Sequence, residues 1–376
     1  MEQTMMRTYG DYRVLEEYLQ KIGTRRLFLV CGSSIQKLRV DGCFDALNKR
    51  IPVIRFSGFT PNPKYEDAVR AVEAFRRSNC DAIIAVGGGS AMDIAKCVKL
   101  WAALRAEDGF LNQTPYPNDF PLLAVPTTAG TGSEATRYAV IYYHGEKQSL
   151  SCEECIPSAV LLDPSLLESL PDYHRKASML DALCHGIESF WSVHAAKKSR
   201  EFSRRAICGI LENLELYLQN HPKGNAGMLE AAYLAGKAID LTQTTAGHAM
   251  CYKLTTLYRI AHGHAAALCV SKLWPYLAER SRGTELEDTL SELAAAMGCG
   301  TIPESIGKFE RLLSSLHLET PIPRPEDFLI LQNSVNPARL QNTPIVPGME
   351  DILALYRQIL SKGGAAECRQ RHLRKF

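Results

Sequence analysis

The stretch DAIIAVGGGSAMDIAK, residues 81–96, decides how the first half of the chain is read. It opens with an apolar run of strand length, ends that run in three glycines, and then takes up helical spacing. Apolar residues without alternation mark a strand covered on both faces, as in a parallel sheet. The same pattern recurs on either side. RRLFLVCG (25–32) is an apolar run ending in Gly, Ile51 to Phe56 is a shorter one, and PLLAVPTTAGTGSEA (121–135) repeats strand, turn and helix start. Helical spacing lies between them, at Tyr65 to Ser78 with Val69, Val72 and Phe75 apolar, and at Ser90 to Leu104. Strands separated by helices predict a parallel sheet with helices on its faces.

Past the prolines of LDPSLLESLP (162–171) the character changes. Residues 173–194, 200–220, 226–250 and 284–297 all carry helical periodicity, and Pro303, Pro321 to Pro325 and Pro344 to Pro347 punctuate the later helices. The expected organisation is an α/β domain over 1–168 and an all-α domain over 169–376. A chain of 376 residues suits two domains, because single cores stop growing near ~250–300 residues.

Composition narrows the function. The net charge is +2, from 43 Lys and Arg against 41 Asp and Glu, so neither nucleic acid nor a membrane surface is an expected partner. Basic residues cluster at Arg369 to Lys375, and a short tail of this kind is expected to be solvated. No run reaches the ~18 apolar residues of a spanning helix. The N-terminal stretch has no apolar core followed by a small-residue cleavage site, so no signal peptide is expected. The twelve cysteines are expected to be reduced thiols in a cytoplasmic protein, and Cys152 and Cys155 form a CxxC with no second pair beside it.

Two loops carry the first chemistry. Gly87-Gly88-Gly89-Ser90 lies where a strand gives way to a helix, so its backbone can approach a ligand closely while the helix start offers unpaired N–H groups to a pyrophosphate. Ser90 is the expected N-cap, with Asp93 three residues on as a capping-box partner. A plain strand-to-helix turn would look the same, and this is not the GxGxxG fingerprint. The second loop, Thr127 to Glu134, also follows a strand and presents hydroxyls and glycines suited to a ribose, a phosphate or an amide. Both loops belong to one end of one parallel sheet, where open α/β sheets bind ligands.

The helical half carries the second chemistry. Asp181 and His185 are four apart in DALCHGIES, which puts both on one helix face. An ordinary polar contact would have the same spacing. His248 and His262 would lie ~21 Å apart on one unbroken helix, so they can meet a common ion only if the chain turns between them, within Thr255 to Gly263. Three imidazoles and a carboxylate suit Fe²⁺ or Zn²⁺ better than Mg²⁺ or Ca²⁺.

GGGSAMDIAK (87–96), PTTAGTGSEAT (126–136), DALCHGIES (181–189) and GHA followed by HG (247–249 and 262–263) together resemble the signature set of the iron-containing alcohol dehydrogenases. PNP at 61–63 and LDP at 162–164 agree with it. The resemblance implies a dehydroquinate synthase-like fold: an α/β nucleotide-binding domain, an all-helical metal domain, and a cleft between them. It implies Asp181, His185, His248 and His262 as ligands of Fe²⁺, with Zn²⁺ as the alternative. It implies Gly88, Gly89, Ser90 and Asp93 at the pyrophosphate, Thr127, Thr128 and Thr131 in the second cofactor loop, and Asn62 and Lys147 along the cofactor.

The sequence departs from that pattern in two places. Tyr252 stands where many members carry a further His facing the cleft, so proton relay passes to Tyr252, to His264 or to water. The early strand ends Cys31-Gly32-Ser33-Ser34, without the carboxylate that holds the ribose 2′-hydroxyl in NAD-dependent members. Losing that charge favours NADPH over NADH, with Gly32 at the cofactor.

Lys253, Arg259 and His264 near the metal motifs, with Arg137 after the second loop, make a cationic set suited to an anionic substrate. The wording around Tyr252 and His262 resembles the phosphonoacetaldehyde reductase branch. That implies reduction of phosphonoacetaldehyde to 2-hydroxyethylphosphonate, a small-molecule reaction needing no macromolecular partner beyond a homodimer. A short-chain alcohol or diol dehydrogenase is the alternative within the family; a dehydroquinate-synthase-like lyase and a non-catalytic binding protein are alternatives outside it.

Overall fold

A computed structural model describes residues 3–105 and 109–361. The basic tail from Arg369 lies outside the described residues. The chain divides into two compact units, the first made of Met1–Arg175 with Glu212–Asp240 and the second of Lys176–Leu211 with Leu241–Phe376. The chain therefore passes between units three times, where a linear division at 168 would have it pass once.

The first unit is built on a six-stranded parallel sheet. Its strands are β1 (Thr4–Arg7), β2 (Leu27–Cys31), β3 (Val53–Phe56), β4 (Ala82–Gly87), β5 (Leu122–Pro126) and β8 (Ala159–Leu162), in the order β1-β8-β5-β4-β2-β3. An antiparallel hairpin, β6 (Tyr138–Tyr143) and β7 (Glu146–Ser151), stands apart from it. Helices α1 (Arg13–Lys21), α2 (Val40–Leu47), α3 (Tyr65–Arg77) and α4 (Gly89–Trp101) connect the strands.

The pleat sorts the strand residues into two cores. Phe28, Val30, Ile83, Ala85 and Ala124 pack on the face covered by α3 and α4, while Leu27, Leu29, Cys31, Ile84, Val86, Leu123 and Val125 pack on the opposite face, under α1 and α2. Both faces are dry, which is why these strands read as continuous apolar runs. Each fully buried Leu, Ile, Val or Phe contributes about 1.5–3 kcal/mol.

Later helices are α5 (Asp172–Trp191), α6 (Lys197–Leu218), α7 (Pro222–Thr242), α8 (Ala246–Tyr258), α9 (His262–Arg280), α10 (Glu285–Ala296), α11 (Ile302–Ser315), α12 (Asp327–Asn333), α13 (Pro337–Leu340) and α14 (Met349–Leu360). Most of α7 belongs to the sheet unit. Tyr233 sits in its core and donates its hydroxyl proton to Gln3 at 2.7 Å. Gly132 has φ +60°, and a Cβ there would lie 2.4 Å from the Gly236 Cα, so the loop and the helix touch backbone to backbone.

Residues 226–250 are two helices rather than one. Gln243 turns the chain with φ +58°, and Thr245 leaves it extended before α8 begins. The Thr245 amide and hydroxyl both donate to Glu188 Oε1, a buried acceptor that an α-helical continuation would leave unmet. Within the helical unit the Trp191 and Trp274 rings meet edge to face at 5.8 Å and Phe309 packs on Trp274. Among the described residues, no helix is long and apolar enough to cross a membrane.

Candidate metal and cofactor sites

Three helices of the second unit converge on one buried carboxylate. Asp181 on α5 has its Oδ1 at 3.4 Å from His248 Nε2, 3.9 Å from His185 Nε2 and 4.0 Å from His262 Nε2. One ligand atom from each of Asp181, His248 and His262 falls within 4.8 Å of the others, the spacing of groups that could share one ion. The His185 ring stacks on His248 at 4.6 Å between centroids. The required turn between the last two histidines is present. Helix α8 ends in Arg259 with φ +55°, and α9 starts at His262 itself.

Glycines set these approaches. A Cβ on Gly263 would lie 2.0 Å from the Ala177 carbonyl oxygen and 2.5 Å from the Asp181 Cβ. Any larger residue beside His262 would push α9 off α5 and draw His262 away from Asp181. On the other side of the site, Gly247 lets α8 close on Glu188, whose carboxylate carbon a Cβ would approach to 3.0 Å.

Glu188 was not among the residues expected from sequence. It lies seven residues after Asp181 and three after His185, one face of α5 at i, i+4 and i+7, and that spacing was the available signal. Fully buried, it accepts a hydrogen bond from His248 Nδ1. A carboxylate on the rear nitrogen fixes the imidazole so that Nε2 faces Asp181, the usual support for a metal-bound histidine.

The electrostatics favour a cation. Burial alone would raise the Asp181 and Glu188 carboxyls, but the surrounding imidazoles hold both below their ordinary range. Burial would likewise lower His248, yet Glu188 and Asp181 carry it above its usual value. A pocket that draws a proton onto a buried histidine is one in which positive charge is stabilised. Three imidazoles and one carboxylate are the donor chemistry of Fe²⁺ or Zn²⁺, and the residues present fit such an ion.

In the first unit the two loops lie side by side, since β4 pairs with β5 and the Thr127 amide donates to the Gly87 carbonyl at 3.0 Å. The N-cap of α4 is Gly88, extended at φ −85° and ψ −164°; Ser90 is already inside the helix. Ser90 Oγ instead accepts the Asn62 amide at 3.3 Å, and Asp93 makes no capping box. With glycine as cap, no side chain occupies the helix start, and a Cβ on Gly89 would press Thr131 at 3.2 Å. Thr127, Thr128 and Thr131 are partly exposed, whereas Ala129, Gly130 and Gly132 are buried. A narrow cleared helix start flanked by hydroxyls fits a dinucleotide pyrophosphate.

The hairpin brings Lys147 into this neighbourhood. Lys147 pairs across to Tyr142, whose amide donates to the Pro63 carbonyl, and its charge acts on Asp93. Beneath the loops Lys96 is fully buried and donates to Ser133 Oγ, Thr136 Oγ1 and the Tyr138 carbonyl at 3.0, 3.1 and 2.7 Å. Desolvation lowers its pKa, and the same cause raises Asp93 and Glu134 to about 7 each. At the end of β2, Gly32 caps a 3₁₀ turn whose Ser33 and Ser34 are exposed.

The other expected residues are placed unequally. Arg137 is held by Asp240, with its amide, Nε and Nη2 at 2.7, 3.1 and 3.0 Å, and by Glu153 at 3.2 Å, so it ties the second loop to α7. Lys253 is partly buried on α8 and Arg259 is exposed at its end. His264 is two residues past His262, about 200° around α9, and cannot share its face. Burial keeps it neutral, with its pKa lowered to about 4. Tyr252 does meet the cluster, its ring stacked on His262 at 5.5 Å. Its hydroxyl accepts a hydrogen bond from Arg339 Nη1 at 2.8 Å, a residue that sequence reading did not single out.

Comparison with known proteins agrees with both halves of this description. The model of the iron-containing alcohol dehydrogenases matches residues 3–164, and that of the C-terminal region of the Fe-containing alcohol dehydrogenase family matches residues 176–360. The chain is 34% identical over 282 residues to phosphonoacetaldehyde reductase of Streptomyces viridochromogenes, covering 68% of this chain and 70% of that one. It is 32% identical over 277 residues to 1,3-propanediol dehydrogenase of Citrobacter freundii, covering 70% of each. Among solved structures, sulfoacetaldehyde reductase from Bifidobacterium kashiwanohense in complex with NAD⁺ superposes with a TM-score of 0.86 at 23% identity, over 96% of this chain and 97% of that one. A 1,3-propanediol oxidoreductase gives 0.86 at 26% identity, over 95% and 97%. The chain belongs to the iron-containing alcohol dehydrogenase family and is an oxidoreductase of alcohols and aldehydes.

Proposed function

We propose that this enzyme reduces phosphonoacetaldehyde to 2-hydroxyethylphosphonate, using NADPH and one Fe²⁺ held by Asp181, His185, His248 and His262. The observation that carries the chemistry is the carboxylate–imidazole set around buried Asp181, whose field favours a cation. The phosphonate is supported by the 34% identity to a phosphonoacetaldehyde reductase. Zn²⁺ accepts the same donors. Family membership sets the lyase and binding-protein readings aside.

The ion, when bound, supplies a Lewis acid for the substrate oxygen, and the nicotinamide supplies the hydride. The chain's own residues do the rest. Glu188 fixes the tautomer and angle of His248. The amides at the start of α4, with Gly88, Gly89 and Ser90, hold the pyrophosphate, while Thr127, Thr128, Thr131, Asn62 and Lys147 orient the rest of the cofactor. Ser33 and Ser34 beside Gly32 offer hydroxyls to a 2′-phosphate where a carboxylate would repel it. Tyr252 supplies the product's proton; His264, on the other side of α9, is not placed for it. The free cysteines of the described residues accord with a reducing, cytoplasmic setting. The likeness to 1,3-propanediol dehydrogenase favours a second reading, a short-chain alcohol or diol dehydrogenase.

The test is NADPH oxidation by anaerobically prepared, Fe²⁺-loaded protein on phosphonoacetaldehyde beside propanal and glycolaldehyde. A kcat/KM preference for the phosphonate of about a hundredfold, ~2.7 kcal/mol, is expected. Equal or better turnover of the neutral aldehydes would replace the first reading by the second.

A further inference from the structure

Glu188 supports His248 from behind, and the contacts that hold Glu188 itself reach one residue further out. Its Oε1 accepts three hydrogen bonds, from the Thr245 amide at 3.0 Å, the Thr245 hydroxyl, and the His248 amide at 3.3 Å. Its Oε2 accepts from His248 Nδ1. Thr245 Oγ1 in turn accepts from Trp191 Nε1 at 3.0 Å. All four residues are buried, Glu188 and Thr245 completely.

An indole nitrogen can only donate and a carboxylate can only accept. Those two ends fix the direction of every bond between them. Trp191 donates to Thr245, so the threonine hydroxyl turns its own hydrogen to Glu188. The carboxylate then meets His248 as an acceptor, and Nδ1 is the ring nitrogen that keeps a hydrogen. Nε2 is left facing Asp181 at 3.4 Å, on the side where an ion would be held. Hydrogen bonds that all run one way through a buried chain polarise and strengthen one another.

The backbone is shaped around this chain of bonds. The break between α7 and α8 puts Thr245 at the N-cap of α8, three residues before His248, so one carboxylate oxygen reaches donors from both. Gly247 leaves it room, since a Cβ there would lie 3.0 Å from Glu188 Oε1. Asn342 Nδ2 donates to the Thr244 carbonyl at 3.1 Å, and Thr343 Oγ1 accepts the Ala246 amide at 2.9 Å, so both neighbours of Thr245 are pinned. Trp191 closes α5 three residues past Glu188, with its ring packed on Trp274.

We propose that Thr245 is a positioning residue of the metal centre: its hydroxyl, oriented by Trp191, holds Glu188 so that His248 presents Nε2 to the ion. The assignment rests on the metal-site reading above and adds to it two residues that act only through Glu188.

Co²⁺ binding to metal-free protein tests it without turnover, read by competition with a chelator and by the visible bands of the bound ion. Thr245→Val keeps the shape and loses the hydroxyl; it should weaken Co²⁺ binding about tenfold and shift the bands. Thr245→Ser restores the hydroxyl and should bind within about threefold of native, while Trp191→Phe, one bond further out, should cost about threefold. Glu188→Gln should weaken binding about thirtyfold, and Thr245→Val added to it should change little more, because both act through one contact. Native affinity and bands in Thr245→Val, with only the melting temperature of the metal-free protein lowered, would overturn the assignment and leave the metal site standing. A full tenfold loss from Thr245→Val in the Glu188→Gln background would overturn it too. Native protein that binds neither Co²⁺ nor Fe²⁺ nor Zn²⁺ would remove the metal site and the assignment together.

Discussion

The two units bury charge in opposite ways. Under the cofactor loops, Lys96 faces Asp93 and Glu134, so the cation and the acids that oppose it are all supplied by the chain. In the helical unit, Asp181 and Glu188 are opposed by imidazoles, which carry charge only when protonated and otherwise leave the positive charge to a bound ion. Removing charge from water costs several kcal/mol per group unless it is compensated. The first cluster completes itself and serves as a foundation. The second is completed from outside, and that dependence makes it a site.

The largest effect should come from removing the carboxylate at the centre of the second cluster. Asp181→Ala should abolish stoichiometric metal binding and lower kcat/KM by at least about a thousandfold, on the scale of losing a Lewis acid. Native protein should also gain about 2.7 kcal/mol of stability at a hundred times the metal Kd, and the variant none. Metal analysis with paired melting curves checks this; a variant that still gains stability from metal would break the contrast.

Lys96→Met should strike the other cluster. With its cation gone, buried Glu134, half-buried Asp93 and the three oxygens that Lys96 serves should cost about 3–5 kcal/mol of unfolding free energy in urea, with metal stoichiometry kept. A loss under 1 kcal/mol would mean that the acids neutralise themselves by taking up protons.

The smallest effect is in pH dependence. Asp93 has its folded pKa raised to about 7 from an ordinary value of 3.8, so the unfolded chain gives up this proton first. Stability must therefore fall as pH rises from about 4 to about 7, and level off above. Asp93→Asn should remove that part of the decline, so that its melting temperature gains on the native protein between pH 5 and pH 7.5. Parallel profiles across that range would show that Asp93 has no raised pKa.

Legibility also divided between the units. The strands around residues 27, 82 and 122 could be read because a sheet covered on both faces leaves an unbroken apolar run, while β3 at the edge shows as a shorter one. The hairpin of β6 and β7 is turned by His144 and Gly145, with φ +50° and +79°, the kind of turn that joins two adjacent strands. In the helical unit the residues now seen around Asp181 were nominated from spacing and resemblance. Glu188 was passed over because a glutamate on a helix usually faces water. The break at 243 was hidden, since helical periodicity runs on through it and only the distant Glu188 explains it. Arg339 had no local signal at all: its partner is 87 residues away.

Most of α7 belongs to the sheet unit, and this gives the fold an order in time. Tyr233 fills the core, Gly236 abuts Gly132, and Asp240 holds Arg137, yet all three are made long after the last strand ends at Leu162. A ribosome adding about 5–20 residues each second must run on for several seconds before these contacts can form. During that interval the nascent chain has its strands but not the helix that holds the second loop, and a fragment ended at residue 175 would stay in that state.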